Sequence, residues 1–283
     1  IPEVCADMAK EMGEGKYYAD LNVKMAQFEL TLLDWAEAHK GARKYVAFAD
    51  KCWPAFPSQF GFEPCYVNSR LVSRGIPVSC EVDIYGALSE YIGLCISNDA
   101  VTLLDINNSV PQYIYDEDIK GKYDYKLTDT FMGFHCGNTP ACKMCDSRAV
   151  KYQLIQHRLL EPAGSEPDFT RGTLEGDIAA SDITFYRLQC NSEGELVSYV
   201  AEGEVLDVPT RSFGGIGIFA IKEMGRFYRH VLIEKNFPHH GAVAFGNFGK
   251  TLYEVFKYVG VPVEEIGYNQ PAGVRYPTEN PWG

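Results

Sequence analysis

An α/β fold whose last part closes into a small antiparallel barrel is what this sequence predicts, on three observations. Strand-like apolar runs alternate with helical periodicity up to about residue 106, the pattern of a mostly parallel sheet. Two carboxylates, Glu81 and Asp83, stand where one such run ends and a helix begins, the place where open α/β sheets bind ligands. After about Glu161 the style changes to short strand-like runs with turn residues roughly every dozen positions, the pattern of a barrel or sandwich.

In chain order, Ile1 opens in mid-helix style without a methionine, as expected of a piece of a longer protein or of a processed chain. From Asp20 to His39, Leu21, Met25, Phe28, Leu33 and Trp35 recur at helical spacing and predict a long amphipathic helix ending near Gly41. Lys44 to Ala49 reads as a short strand, and Pro54 and Pro57 are expected to keep the next loop out of regular helix. Pro64 suits the first turn of a helix that continues from Tyr66 to Ser73 and stops at Gly75. Ile76 to Cys80 is a buried strand, a helix follows from Tyr85 to about Ile96, and Ala100 to Ile106 is the next strand. Pro111 to Tyr125 shows no clean period and predicts a long loop. The apolar run Phe131 to Phe134 leads into His135-Cys136-Gly137-Asn138. Beyond Glu161, strands are expected at 170–174, 183–189, 196–202 and 204–208. A flexible glycine-rich link at Phe213 to Gly217 then leads to a helix over 220–235, a strand over 242–245 and a helix over 250–259.

The bulk numbers narrow the function classes. A length of 283 residues with 46% hydrophobic content supports a substantial core. A net charge of −12 argues against nucleic acid or an anionic membrane surface as a partner. No apolar run approaches the ~20 residues of a membrane span. Nine cysteines, an odd number scattered through apolar elements, suit reduced thiols in the cytoplasm better than a secreted disulfide framework.

Chemistry concentrates in a few places. Glu81 and Asp83 are two residues apart, so in extended chain both side chains point to one face. Two neighbouring carboxylates repel, and a divalent cation or a shared proton relieves them. The plainer reading makes Asp83 the N-cap of the following helix. His239-His240, after a proline and before a buried strand, would complete a carboxylate–imidazole ligand set for Mn²⁺, Fe²⁺, Co²⁺ or Zn²⁺. Cys142-Lys-Met-Cys145 has zinc-knuckle spacing and lies near His135-Cys136, but no second such pair follows. Gly214-Gly215-Ile216-Gly217 lacks the Lys-Ser/Thr ending of a phosphate loop, and no Gly-x-Ser-x-Gly elbow is present. Cys52 has no identifiable partner base.

Several stretches together resemble the L-fucose isomerase and L-arabinose isomerase superfamily. They are Lys51-Cys52-Trp53-Pro54 with Phe60-Gly61 and Pro64-Cys65, and Cys80-Glu81-Val82-Asp83-Ile84-Tyr85-Gly86-Ala87-Leu88-Ser89. Further along come Phe134 to Asn138, Gly172 to Gly176, Ala201 to Val205, Phe213-Gly214-Gly215, and His239-His240. The similarity runs in order from about residue 44 to 260. It implies that residues 1–76 are the latter part of a second, Rossmann-like domain. Residues 77–283 would be an isomerase C-terminal domain with its barrel at about 166–212. It also implies a ketol isomerase that interconverts aldose and ketose with Mn²⁺ or another divalent cation, in a cytoplasmic homo-oligomer (trimer or hexamer). The family holds its metal with two acids and a histidine. On that pattern Asp83 and one of His239 and His240 are ligands, and a further acid is expected two dozen residues before Asp83, where Gln59 stands instead as a weak, neutral metal ligand that cannot be the general base. Glu81 then serves as ligand or base, Trp53 stacks on the sugar, and His135 and Asn138 meet its hydroxyls. The missing acid leaves open a non-catalytic sugar-binding or regulatory relative.

Overall fold

The computed structural model describes residues 1–52, 54–152, 154, 157–158, 161–166, 172–271 and 273. Its centre is a closed barrel of six strands, each antiparallel to its neighbours: β3 (Val101–Asn108), β4 (Thr130–His135), β7 (Ser181–Cys190), β8 (Leu196–Val205), β9 (Gly215–Ala220) and β10 (His240–Phe245). The barrel therefore draws on residues 101–245, far wider than the expected 166–212. Outside the ring, β5 (Ala149–Tyr152) and β6 (Gly172–Asp177) continue from β9, and β11 (Ile266–Tyr268) runs parallel to β8.

Closure depends on β8. It pairs with β7 over its whole length, and its last residues also pair with β9, Glu204 opposite Ala220 and Val205 opposite Phe219. Gly203 stands at this corner, where a Cβ would lie 2.2 Å from the Ala220 carbonyl oxygen. The glycine suggested a break between two strands, and it is instead what lets one strand turn between two partners. The expected link at 213–217 is likewise a correction: β9 is a fully buried strand, because both of its edges are needed to shut the ring. Ile183, Phe185, Tyr199, Phe219 and Val243 fill the interior, and the Phe131 and Phe219 rings stack at 5.3 Å.

Helices cover the barrel's outer side. The long helix α5 (Ile84–Ser97) lies against β10, β7 and β3, and Ala242 and Ala244 leave it room. At Gly93 a Cβ would stand 1.7 Å from Tyr186 Oη, so only glycine admits this approach. Tyr186 Oη donates to the Ser89 carbonyl. This contact brings the N-terminus of α5 to the end of the barrel where β10 begins.

Before the barrel come α1 (Pro2–Met12), α2 (Ala19–His39), β1 (Phe48–Ala49), α3 (Ala55–Phe60), α4 (Cys65–Ser73) and β2 (Val78–Ser79). β1 and β2 pair in parallel, Phe48 with Val78 and Ala49 with Ser79. Among the described residues this pair is all there is of the parallel sheet expected of a Rossmann-like domain. Pro57 sits inside α3 rather than excluding helix, because first-turn N–H groups have no intrahelical acceptor and a proline there loses nothing. The loop expected at 111–125 contains a helical turn, α6 (Gln112–Ile114), widening into a π-turn over Tyr115–Ile119 whose Ile114 and Ile119 are buried. The later helices are α7 (Met224–Phe227), continued by a π-turn over Tyr228–Ile233, and α8 (Gly249–Tyr258). Among the described residues, no helix is long and apolar enough to cross a membrane.

One cluster of buried apolar side chains runs from Met8 through Val78 to Ile266, so the parts before and after residue 76 share a core. Ionic contacts reinforce it. Arg70 of α4, 3% exposed, donates to Asp7 and Glu11 of α1 and to the fully buried Glu29 of α2, which Arg74 also reaches. Removing one member strands buried charge, which costs about 3–5 kcal/mol. Arg70→Ala is expected to lose stability on that scale in urea denaturation, whereas Lys40→Ala, removing a surface pair with the exposed Glu37, changes it by less than about 1 kcal/mol.

Candidate metal centre

The turn between β2 and α5 is not extended. Glu81 and Val82 take φ of 62° and 60°, a left-handed conformation that is costly for a β-branched residue. Two backbone bonds hold it, Val82 N–H to the Asp50 carbonyl at 2.8 Å and Asp83 N–H to the Cys80 carbonyl at 3.2 Å. The alternation that would put Glu81 and Asp83 on one face is therefore lost. Asp83 turns into the protein and caps α5, accepting from Gly86 N–H at 2.8 Å. Arg187 of β7 grips the same carboxylate with both terminal nitrogens, at 2.7 and 2.9 Å. His240 Nδ1 completes its surroundings, 3.0 Å from Asp83 Oδ2. Burial pushes the Asp83 carboxyl up, but His240 and Arg187 outweigh it and hold it well below the usual carboxylate range.

His240 begins β10 and Asp105 lies on β3, directly opposite it in the barrel register. Asp105 Oδ1 and His240 Nε2 are 3.1 Å apart, and Glu81 Oε2 lies 3.6 Å from the same nitrogen. His135, ending β4, has its ring centre 5.8 Å from that of His240. His135 Nε2 is buried without a hydrogen-bond partner, and beside it Asp105 Oδ1 and His240 Nε2 are buried with their ion pair. An orphaned buried polar atom costs roughly 1–3 kcal/mol, and one beside a buried carboxylate–imidazole pair marks a place suited to binding rather than to packing. Burial lowers the His240 pKa, yet the carboxylates of Asp105 and Asp83 outweigh it and raise it to about 9. Burial also lowers His135, and Asp105 opposes this only in part.

Hydrogen bonds assign the two rings opposite parts. His240 Nδ1 faces the ionised Asp83 and keeps its proton there, so a cation that displaces the Nε2 proton would meet that nitrogen's lone pair. His135 Nδ1 accepts from Cys136 N–H at 3.1 Å, so the neutral ring carries its proton on Nε2 and offers a donor. Two overlapping ligand groups meet at His240, Glu81 with His135 and His240, and Asp105 with His239 and His240. Glu81 and Asp105 both approach His240 Nε2, and an O,O,N set of this kind suits Mn²⁺ or another divalent cation. Their placement on three separate elements fixes the set through the fold rather than through one flexible loop.

Comparisons with known proteins agree in kind. Residues 133–267 match the family described as L-fucose isomerase, C-terminal domain. This part of the chain is an L-fucose isomerase-like C-terminal portion. The chain is also 25% identical over 278 residues to a sulfoquinovose isomerase of Alkalicoccus urumqiensis, covering 91% of this chain and 55% of that protein. A sulfoquinovose isomerase of Priestia aryabhattai is 25% identical over 236 residues, covering 82% of this chain and 46% of the relative. The chain thus spans about half the length of the curated relatives it matches.

The fucose isomerase-like portion contributes His135 and His240, and Glu81 and Asp105 precede it. Of the residues singled out in the sequence, the structure brings together Glu81, His135 and His240. Asp83 stands behind His240, its carboxylate already occupied by Gly86, Arg187 and His240. His239 is 58% exposed at the rim, 3.6 Å from Asp105. Gln59 is exposed on α3, and no contact joins it to the cluster among the described residues. Asn138 is buried, with both amide atoms unpartnered. Trp53 lies outside the described residues. Cys142 and Cys145 belong to no group of three ligands among the described residues. The sequence reading missed Asp105, although an acid within the apolar run Ala100 to Ile106 was a usable signal. It also stands 24 residues from Glu81, the spacing sought between Gln59 and Asp83.

Behind Asp83, Glu90 of α5 is fully buried and accepts from Ser79 Oγ. Burial above all, with Asp83 and Asp50 adding, pushes it up to about 8. An acid protonated in the folded state but ionised when unfolded disfavours folding increasingly as pH rises from about 4.5 to 8. Glu90→Gln is therefore expected to equal the parent in stability near pH 4.5 and to exceed it near pH 8, by on the order of a few kcal/mol. Urea unfolding at the two pH values measures the difference.

Proposed function

We propose that this chain carries the metal-binding half of an aldose–ketose isomerase acting on a sugar. The observation that carries the reading is the convergence of Glu81 and Asp105 on His240, beside the unpartnered His135 Nε2, in a chain whose C-terminal portion is fucose isomerase-like. A divalent cation such as Mn²⁺, held by Asp105 Oδ1, His240 Nε2 and Glu81, would act as a Lewis acid on the sugar's carbonyl and hydroxyl oxygens. Glu81 is half-exposed, so substrate can reach its carboxylate. As general base it takes the proton from the carbon beside the carbonyl; the C–H electron pair becomes a carbon–carbon double bond and the carbonyl π pair moves onto its oxygen, giving an enediolate. The neighbouring hydroxyl's proton passes to the former carbonyl oxygen and the base returns its proton to the former carbonyl carbon, which exchanges aldose for ketose with no oxidant or reductant. His135 Nε2–H donates to a sugar oxygen, and the unpartnered amide of Asn138 is assigned to a hydroxyl. Asp83 positions His240 and is not itself a ligand in this reading. The same role for Trp53 as a stacking surface stays part of the proposal.

A binding-only relative is the reading that an absent acid near Gln59 would favour. Glu81 and Asp105 supply the acid pair at that spacing, so this motive falls away. We read the whole protein as a homo-oligomer in the cytoplasm, supported by its nine free cysteines and acidic charge and by the resemblance to oligomeric isomerases. Because two relatives are named sulfoquinovose isomerases, sulfoquinovose heads the substrates to test, beside L-fucose, L-arabinose and phosphorylated sugars.

The full-length protein with Mn²⁺ is expected to interconvert at least one aldose–ketose pair of such a panel, and removal of the metal by chelation to stop it. Asp105→Asn should abolish stoichiometric Mn²⁺ binding in calorimetry. Asp83→Asn should retain the site but weaken it about 10–100-fold, the range for groups that orient a ligating histidine. Equal loss in both variants would place Asp83 among the ligands and overturn the assignment.

A further inference from the structure

A second cluster of donors plays no part in the centre described above. Asp50 follows β1, Cys52 lies two residues on, and Cys80 ends the run of β2. The two parallel strands thus deliver all three to one place, where a ligand atom of each lies within 4.8 Å of the others. Both cysteines are buried and free. Asp50 N–H donates to the Ser79 carbonyl at 2.9 Å, which fixes the frame. Asn68, wholly buried on α4, donates Nδ2 to Asp50 Oδ2 at 2.8 Å and lies 3.9 Å from Cys80 Sγ. Asp50 Oδ1 and Asn68 Oδ1 remain buried with no hydrogen-bond partner.

Buried cysteines by themselves are small apolar side chains. Two of them beside a carboxylate whose Oδ1 is buried and unpartnered among the described residues are not, because a cation would satisfy that oxygen. We propose that Asp50, Cys52 and Cys80 form a second metal site that takes a thiophilic divalent cation of the Zn²⁺ type and clips the ends of β1 and β2 together. Thiolate and carboxylate donors suit Zn²⁺, whereas the O,O,N set of the first centre suits Mn²⁺, so the two sites differ in chemistry as well as position. Zn–S bonds of about 2.3 Å in tetrahedral geometry put two sulfurs about 3.8 Å apart, within the separation found. Water, or the Asn68 oxygen once its amide is turned, fills the fourth position. On binding, the two thiols release their protons to solvent as the metal–sulfur bonds form, and no redox partner is required.

The test titrates the reduced chain, free of other metals, with Cd²⁺ as probe and follows thiolate-to-Cd²⁺ charge-transfer absorption in the ultraviolet. Absorption is expected to saturate at one equivalent, to survive Asp105→Asn, and to survive Cys95→Ser with Cys142→Ser, which removes the exposed thiols. It should be lost in Cys52→Ser and in Cys80→Ser. Zn²⁺ should raise the thermal midpoint of the parent and of neither cysteine variant. Asp50→Asn, which keeps both thiols, should weaken Cd²⁺ binding about tenfold or more and covers the case of a serine variant that does not fold. Absent absorption in the parent, absorption that persists without Cys52 and Cys80, or unchanged affinity in Asp50→Asn would each overturn the site.

Discussion

The Asp83 carboxylate is the interaction on which the rest of the site depends. It ties the start of α5, through Gly86, to Arg187 on β7 and to His240 on β10, so one side chain joins a helix to two barrel strands. A charge so buried is tolerated only because cationic and N–H donors surround it. Its consequence for chemistry is indirect. By holding the His240 proton on Nδ1, it leaves Nε2 facing Asp105 and Glu81.

The barrel supplies precision to this arrangement. Asp105 and His240 face each other because β3 and β10 pair in one register, and a slip of one residue would send one of them to the opposite face. Closure through Gly203 and packing of α5 over Gly93 fix where that strand pair stands relative to the β2–α5 turn. Residues numbered 81, 105, 135 and 240 meet because three neighbouring strands and one helix end share an edge of the barrel.

Around the centre the structure holds features that stability alone would not favour. Val82 sits in a left-handed conformation, Glu90 is buried beside other acids, and His135 Nε2 has no partner. Strain and unsatisfied polarity gathered in one place are the mark of a site rather than of a core. The Asp50–Cys52–Cys80 cluster carries the same mark on the other side of Cys80, with softer donors.

Much of the fold was legible in the sequence, because helical spacing and strand-like apolar runs are local properties. The helix over Ala19–His39, the strand–acid–helix stretch around Glu81 and the strand leading from His240 could all be read from neighbours along the chain. The barrel's bounds could not, since closure depends on pairing between residues as distant as Val101 and Ala244. Chemistry divided in the same way. Sequence alone determined that acids and histidines stand at strand ends, and that the chain resembles sugar isomerases. Only the tertiary structure decided which of them meet. It turned Asp83 into the clamp, drew in Asp105, and buried His240 while leaving His239 at the rim, because burial, strand register and the left-handed turn at Glu81 and Val82 are set by contacts that no local pattern records.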